Sequence, residues 1–238
     1  MNVFPAVDLI GGQAVRLFQG DYSRKTVYDA NPVDAALRFS DAGAEHIHIV
    51  DLDGAKSGKT DNFAVIRDMV RVSRLRAEVG GGVRSFDTVE KYLDAGVERV
   101  IIGTRAVTDP FFVREAIEKY GDRVAVGADI KDGFVAVKGW TEKSPETGED
   151  FCRRMDGLGV KTLIVTDISR DGAMQGTNHG LYRRLTEVCA CGIVASGGVS
   201  TLEEIRMLRE EGLSGVILGK ALYTGAIDLK LAIEVCAC

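Results

Sequence analysis

"VGGGVRS" (79–85) and "ASGGVST" (195–201) spell nearly the same glycine-rich turn twice. Glycines set so close weaken helices and strands, so two copies mark two places where the backbone bends or approaches something closely. Each turn follows a short β-branched run, "LRAEVG" (75–80) or "GIVASG" (192–197). Each precedes a segment with helical spacing, "SFDTVEKYLDAG" (85–96) or "TLEEIRMLREEG" (201–212), closing on glycine. Outward from these two places the same grammar fills the chain. Further strand-like runs are "NVFPAVD" (2–8), "HIHIVD" (46–51), "RVIIG" (99–103), "VAVGAD" (124–129), "TLIVTD" (162–167) and "GVILG" (215–219). Helical patterns stand between them, such as "PVDAALRFSDAG" (32–43) and "DPFFVREAIEKYG" (109–121). The reading is eight strands and eight helices in strict alternation. Continuous apolar strands alternating with amphipathic helices imply a parallel sheet covered by helices. Eight such units in 238 residues point to an α/β fold, a single (β/α)8 barrel rather than an open doubly wound sheet.

The repeat extends beyond the glycines. Gly81 and Gly197 are 116 residues apart, and the same spacing carries "RVIIGTRAV" (99–107) onto "GVILGKALY" (215–223) and Asp51 onto Asp167. The first strand fits at a spacing of 121, with Asp8 meeting Asp129. Strands 1–4 thus repeat as strands 5–8, and residues 1–238 read as one catalytic barrel made of two duplicated halves, about 1–120 and 121–238.

Composition limits what this barrel can meet. Hydrophobic residues make up 45% and charged residues 27%, ordinary values for a globular protein with a substantial core. A net charge of −5 offers no basic field for nucleic acid or anionic lipid, so an anionic ligand needs a locally built site. The opening "MNVFPAVDLIGG" has no basic region or cleavage site of a signal peptide, and no apolar run is long enough to span a membrane. The expectation is a cytoplasmic protein. Cys152, Cys189, Cys191, Cys236 and Cys238 lack zinc spacing and read as buried or idle thiols.

In barrels of this kind, the turns after strands 7 and 8 commonly bind phosphate through backbone N–H groups. Here they supply Gly197, Gly198, Gly219 and Lys220, and the repeat builds an equivalent pocket from Gly81, Gly82, Gly103 and Thr104. Two such pockets facing each other predict a small-molecule ligand with a phosphate at each end. The competing reading is that the glycines only relieve helix–strand packing. Asp8 and Asp129 end opposite strands, which suits a general acid and a general base. Asp51 and Asp167 read as caps of the loops that follow. Thr166 and His48 are candidates to orient the carboxylates, a hydrogen-bonded core role being the alternative for His48. "LFQGDYSRKTVYDAN" (17–31) and "GWTEKSPETGED" (139–150) are long polar loops of the kind that form lids. Trp140, the one tryptophan, is a candidate to stack on a planar ring or to pack beneath its loop.

"FPAVDL", "GGGVRS", "IIGTRAV", "VGADIKDGFVAVKGW", "VTDISRDGA" and "ASGGVST", taken in order, resemble the histidine-biosynthesis barrels. They most resemble the phosphoribosylformimino-5-aminoimidazole carboxamide ribotide isomerase family. The resemblance covers nearly the whole chain. It implies an Amadori rearrangement, aldose to ketose, of a bisphosphorylated ribotide without metal or cofactor. Carried over by motif, Asp8 is the base at C2 and Asp129 the acid at the ribose ring oxygen. Thr166 and His48 support them, Arg84 lies beside a phosphate loop, and Arg16 and Trp140 belong to the lids. Ala173 departs from the family's usual threonine after "DG". Three other readings stay open: the sister cyclase, whose first strand usually carries Cys where Ala6 stands; a bifunctional relative acting also on phosphoribosyl anthranilate, which favours Arg at Lys138; and a non-catalytic phosphosugar-binding barrel. The expected partners are a small substrate and neither nucleic acid nor membrane, with the chain a monomer.

Overall fold

The computed structural model describes residues 1–18 and 20–237, so Gln19 of "RLFQG" and Cys238 of the final C-A-C lie outside the described residues. Eight parallel strands form a closed ring: β1 (Asn2–Ile10), β2 (His46–Asp51), β3 (Arg76–Gly80), β4 (Arg99–Ile102), β5 (Val124–Lys131), β6 (Thr162–Asp167), β7 (Gly192–Ser196) and β8 (Gly215–Leu218). Each pairs with its neighbours in sequence, and β8 closes on β1 with Val3 opposite Val216. All eight end within two residues of the positions read from sequence, and the (β/α)8 barrel is the fold.

Eight longer helices alternate with the strands: α1 (Pro32–Asp41), α2 (Phe63–Ser73), α3 (Phe86–Asp94), α4 (Pro110–Tyr120), α5 (Gly148–Gly157), α6 (His179–Val188), α7 (Leu202–Glu210) and α8 (Leu229–Ala237). Their starts are chemically marked. Asn31 and Asp109 accept from the first-turn amides of α1 and α4, each ahead of a proline at the first helical position. Ser85 caps α3, and Thr201 caps α7 in a reciprocal box with Glu204. These two caps stand at the same spacing of 116 as the glycine turns they follow.

The barrel has two cores. Outside the ring, side chains such as Leu9, Ile49, Ile66, Met69, Tyr92 and Leu163 are fully buried between strands and helices. Inside it, Phe4, Ala6, Ile101, Ala125, Ile164, Val194 and Ile217 form a separate small cluster. The interior is therefore filled with side chains, and a cavity opens at the mouth above them.

The two polar lid segments differ from expectation. They are antiparallel ribbons rather than loops: Gln13–Phe18 pairs with Asp21–Asp29 after β1, and Phe134–Val137 pairs with Glu142–Thr147 after β5. Three short helices were also not read from sequence, Leu52–Ser57, Thr104–Thr108 and Lys220–Tyr223. They are a turn or so long, too short for a periodic pattern to declare itself.

Candidate active site

The turns after the strands surround a cavity of about 250 Å³ at the mouth of the barrel. Every site residue read from sequence lines it: Asp8, Arg16, His48, Gly81, Gly82, Arg84, Gly103, Thr104, Asp129, Trp140, Thr166, Gly197, Gly198, Gly219 and Lys220.

The glycine pairs have a double explanation. Gly81 and Gly197 hold φ of 96° and 97°, and Gly82 and Gly198 hold 79° and 86°, a region that side chains rarely adopt. A Cβ on Gly81 or Gly197 would strike the carbonyl oxygen of Asp51 or Asp167, and one on Gly82 or Gly198 that of Gly54 or Gly176. Close backbone approach thus demands glycine at these four positions, and the same turns line the mouth. Gly103 and Gly219 differ. Their φ values are −95° and −107°, and they precede the short helices Thr104–Thr108 and Lys220–Tyr223. Space around Gly103 is open, whereas a Cβ on Gly219 would enter the Arg16 guanidinium.

Cations differ between the two pockets. Beside Gly81 and Gly82, Arg84 donates to the Ala55 carbonyl at 2.7 Å, and Arg105 donates to the Arg84 carbonyl. Beside Gly219, Lys220 donates to the Gly172 carbonyl at 2.9 Å, and Arg16 lies against the glycine itself.

Asp51 and Asp167 are caps. Asp51 accepts from the Gly54 amide at 2.8 Å and from Asn62 Nδ2 at 2.7 Å. Asp167 accepts from the Ser169 amide at 2.9 Å and from Asn178 Nδ2 at 2.6 Å. Both asparagines stand eleven residues after their aspartate, so the repeat extends to this bond.

The remaining carboxylates face the cavity. Asp8 is ion-paired with Arg16 Nη1 at 2.6 Å. Asp129 stands opposite Thr166 in the pairing of β5 with β6, which puts the hydroxyl beside the carboxylate. Burial pushes the Asp129 carboxyl up, only partly opposed by hydrogen bonds from Trp140 and Thr166 and by His48. Asp171 was not singled out from sequence. Burial, with Asp8 and Asp129 adding to it against the pull of Arg16, pushes its carboxyl up to about 6. It follows "DISR" in a loop without periodicity, so the only signal for it was membership of the "VTDISRDGA" stretch.

Trp140 holds a φ of 71°, uncommon for a bulky residue. Its indole hydrogen-bonds Asp129, and its ring crosses to the other ribbon, where a Cβ on Gly20 would come within 2.5 Å of it. The two ribbons therefore meet over the mouth. Arg16 rises from the first ribbon into the site, where it pairs with Asp8. The arrangement brings carboxylates, a hydroxyl and an indole together in one cavity between the two pairs of glycine turns.

Among the described residues, no group of three or more His, Cys, Asp or Glu is placed to hold a metal ion. No described helix is long and apolar enough to cross a membrane.

Comparison with known proteins agrees with this geometry. Residues 2–228 match the family described as histidine biosynthesis protein. A Brachyspira hyodysenteriae relative is 45% identical over 99% of this chain and 99% of its own. One from Dehalococcoides mccartyi is 47% identical over 98% and 99%, and one from Listeria monocytogenes 47% over 99% and 98%. All three carry the name 1-(5-phosphoribosyl)-5-((5-phosphoribosylamino)methylideneamino) imidazole-4-carboxamide isomerase. With a closed eight-stranded barrel, a mouth ringed by paired glycine turns and this match over nearly its whole length, the chain belongs to the histidine biosynthesis protein family.

Proposed function

We propose that this protein is the isomerase of histidine biosynthesis that converts the bisphosphorylated aminoimidazole carboxamide ribotide from its aldose to its ketose form. The observation that carries the reading is the pair of glycine pockets on opposite sides of one mouth, with Asp8 and Asp129 between them. Phosphate at one end would lie over Gly81, Gly82, Gly103 and Thr104 near Arg84. Phosphate at the other would lie over Gly197, Gly198, Gly219 and Lys220, near Arg16.

Anchored at both ends, the ribose sits over the carboxylates. Asp129, which burial favours in its protonated form, donates to the ring oxygen as the ring opens. Ring opening breaks the C1–O bond and leaves a C1=N iminium. Asp8 accepts the proton from C2 to give an enolamine. A proton delivered to C1 as the C2 hydroxyl proton leaves gives the ketose. Asp171 is a second proton donor within the same mouth. Each is proton transfer between carbon, oxygen and carboxylate, for which this reading needs no cofactor. Duplication of a half-barrel accounts for the paired pockets, caps and asparagines. The protein works as a monomer in the cytoplasm, on a small molecule.

Incubating the purified protein with the aldose ribotide and, separately, with its ketose isomer, each with and without ammonia, tests the reading. Ketose formation independent of ammonia is expected. Turnover only when ammonia is supplied would favour the cyclase, and phosphate-dependent binding without turnover would favour a binding barrel.

A further inference from the structure

Inside the barrel, below the mouth, lies a charged group that the proposed chemistry does not use. Glu78 is 1% exposed, on β3. The strand register explains its company. His48 on β2 stands opposite Glu78, and Glu78 stands opposite Arg99 on β4. Parallel neighbours in register point the same way, so the three side chains form one row across three adjacent strands. His48 Nδ1 lies 2.7 Å from Glu78 Oε1, within hydrogen-bond distance, and the Arg99 guanidinium binds Glu78 Oε2. Arg99 also reaches Thr162 Oγ1 on β6 at 3.0 Å. Around this row the barrel is lined by Phe4, Ala6, Ile101, Ala125, Ile164, Val194 and Ile217.

A buried carboxylate costs several kcal/mol of desolvation, recovered only through close pairing. An apolar side chain would fill the space at lower cost, so the pair is expected to serve something other than packing. What it touches is the one residue of the row that lines the cavity, His48. A carboxylate on Nδ1 selects one tautomer and one ring orientation of an imidazole and stabilises its protonated form. With Nδ1 held by Glu78, it is Nε2 that remains for the mouth, where Asp129 and Asp171 feel the His48 charge.

We propose that Glu78, clamped by Arg99, is a positioning residue for catalysis, fixing His48 in the Nδ1–H tautomer with Nε2 presented to the ligand. The inference rests on the isomerase reading for its kinetic test and on geometry alone for its spectroscopic one. Burial works against the Glu78 charge, but the hydrogen bond from His48 and the charges of His48 and Arg99 hold its carboxyl below its ordinary value, so the clamp stays anionic.

The first measurement is imidazole nitrogen NMR of His48 in the whole protein, which needs no activity. Wild type is expected to show the neutral ring with Nδ1 protonated and Nε2 bare, and Glu78→Leu to show a mixture of tautomers. The second is steady-state kinetics. Glu78→Leu is expected to lower kcat at least ~10-fold with KM changed less than ~3-fold, the pattern of an interaction made in the transition state. Glu78→Gln, which keeps an acceptor oxygen for Nδ1–H, is expected to recover most of the loss. Because Glu78→Leu leaves Arg99 without its partner, Glu78→Leu/Arg99→Leu serves as a second variant that removes both charges. In a His48→Gln background the Glu78→Leu change is expected to have no further effect on kcat. Wild-type kcat in the folded double variant, or an unchanged His48 tautomer in Glu78→Leu, would overturn the assignment. An inactive wild type with the Nδ1–H tautomer in place would instead strike the isomerase reading and leave the positioning geometry standing.

Discussion

Each carboxylate at the mouth has its own surroundings, and those surroundings make separate predictions. Asp8→Asn and Asp129→Asn are each expected to lower kcat by at least ~100-fold, since a positioned acid or base contributes roughly 10²–10⁴-fold. Steady-state rates on purified variants check this, and near-normal turnover in either would remove that residue from the mechanism. Asp171 titrates at about 6, above its ordinary 3.8, because it is buried near two other carboxylates. In the proposed reaction it donates from its protonated form, so its contribution to kcat is expected to fall as pH rises through about 6, read from a kcat–pH profile of wild type against Asp171→Asn. The same shift bears on stability. Between its unfolded and folded values the native chain holds more proton on this group, so the stability it contributes is present at low pH and lost as pH rises through that window. Asp171→Asn is therefore expected to gain about 1–3 kcal/mol at neutral pH and little in acid, read from denaturant midpoints at the two conditions. Lys138 bears on substrate range. Its ammonium binds Glu142 at 2.9 Å on the exposed ribbon, and an ammonium cannot fork onto a carboxylate as a guanidinium does. Phosphoribosyl anthranilate is expected to be turned over at least ~10³ more weakly than the ribotide, roughly 4 kcal/mol in transition-state binding. Comparable kcat/KM values for the two would remove Lys138 as a barrier.

Strands, helices and turns differ in how much of themselves they reveal. The barrel strands were legible because they are buried on both faces, so "TLIVTD" and "GVILG" read as unbroken apolar runs. The longer helices were legible because caps and terminal glycines punctuate them, as Ser85 and Gly96 do around α3. The ribbons were not. Asp21–Asp29 is exposed along most of its length, so no buried face imposes a period-two pattern on "DYSRKTVYD". The paired glycines were legible as turns, but not the oxygen atoms that they avoid. Asp171 and Glu78 escaped for the same reason: what makes each unusual is burial among residues distant in sequence. The turns carry a prediction of their own. Gly81→Ala combines a positive φ with a collision against strand backbone, so it is expected to destabilise the fold by about 2–4 kcal/mol. Gly103→Ala meets neither obstacle and is expected to cost far less. Equal denaturant midpoints for the two variants would refute this account of the turns.

At the scale of the molecule, the two halves match in their glycine turns, their caps and their aspartate–asparagine pairs, and they part company at the centre. Asp8 carries an arginine, and Asp129 carries a threonine and an indole. That difference sets a direction. A ligand with a phosphate at each end can enter a mouth with two matched anchors in either of two orientations, and only one puts its C2 proton over Asp8. Whatever separates the orientations is confined to Arg16 with Lys220 at one end, Arg84 with Arg105 at the other, and the unlike partners of the carboxylates. A separation of about 1.4 kcal/mol would leave roughly one bound molecule in eleven reversed. Such a molecule holds both anchors and does not react, so reversed binding lowers kcat and KM by the same factor and leaves kcat/KM and the hyperbolic saturation curve unchanged. The symmetry that makes a doubly phosphorylated ligand easy to hold also makes it possible to hold it backwards.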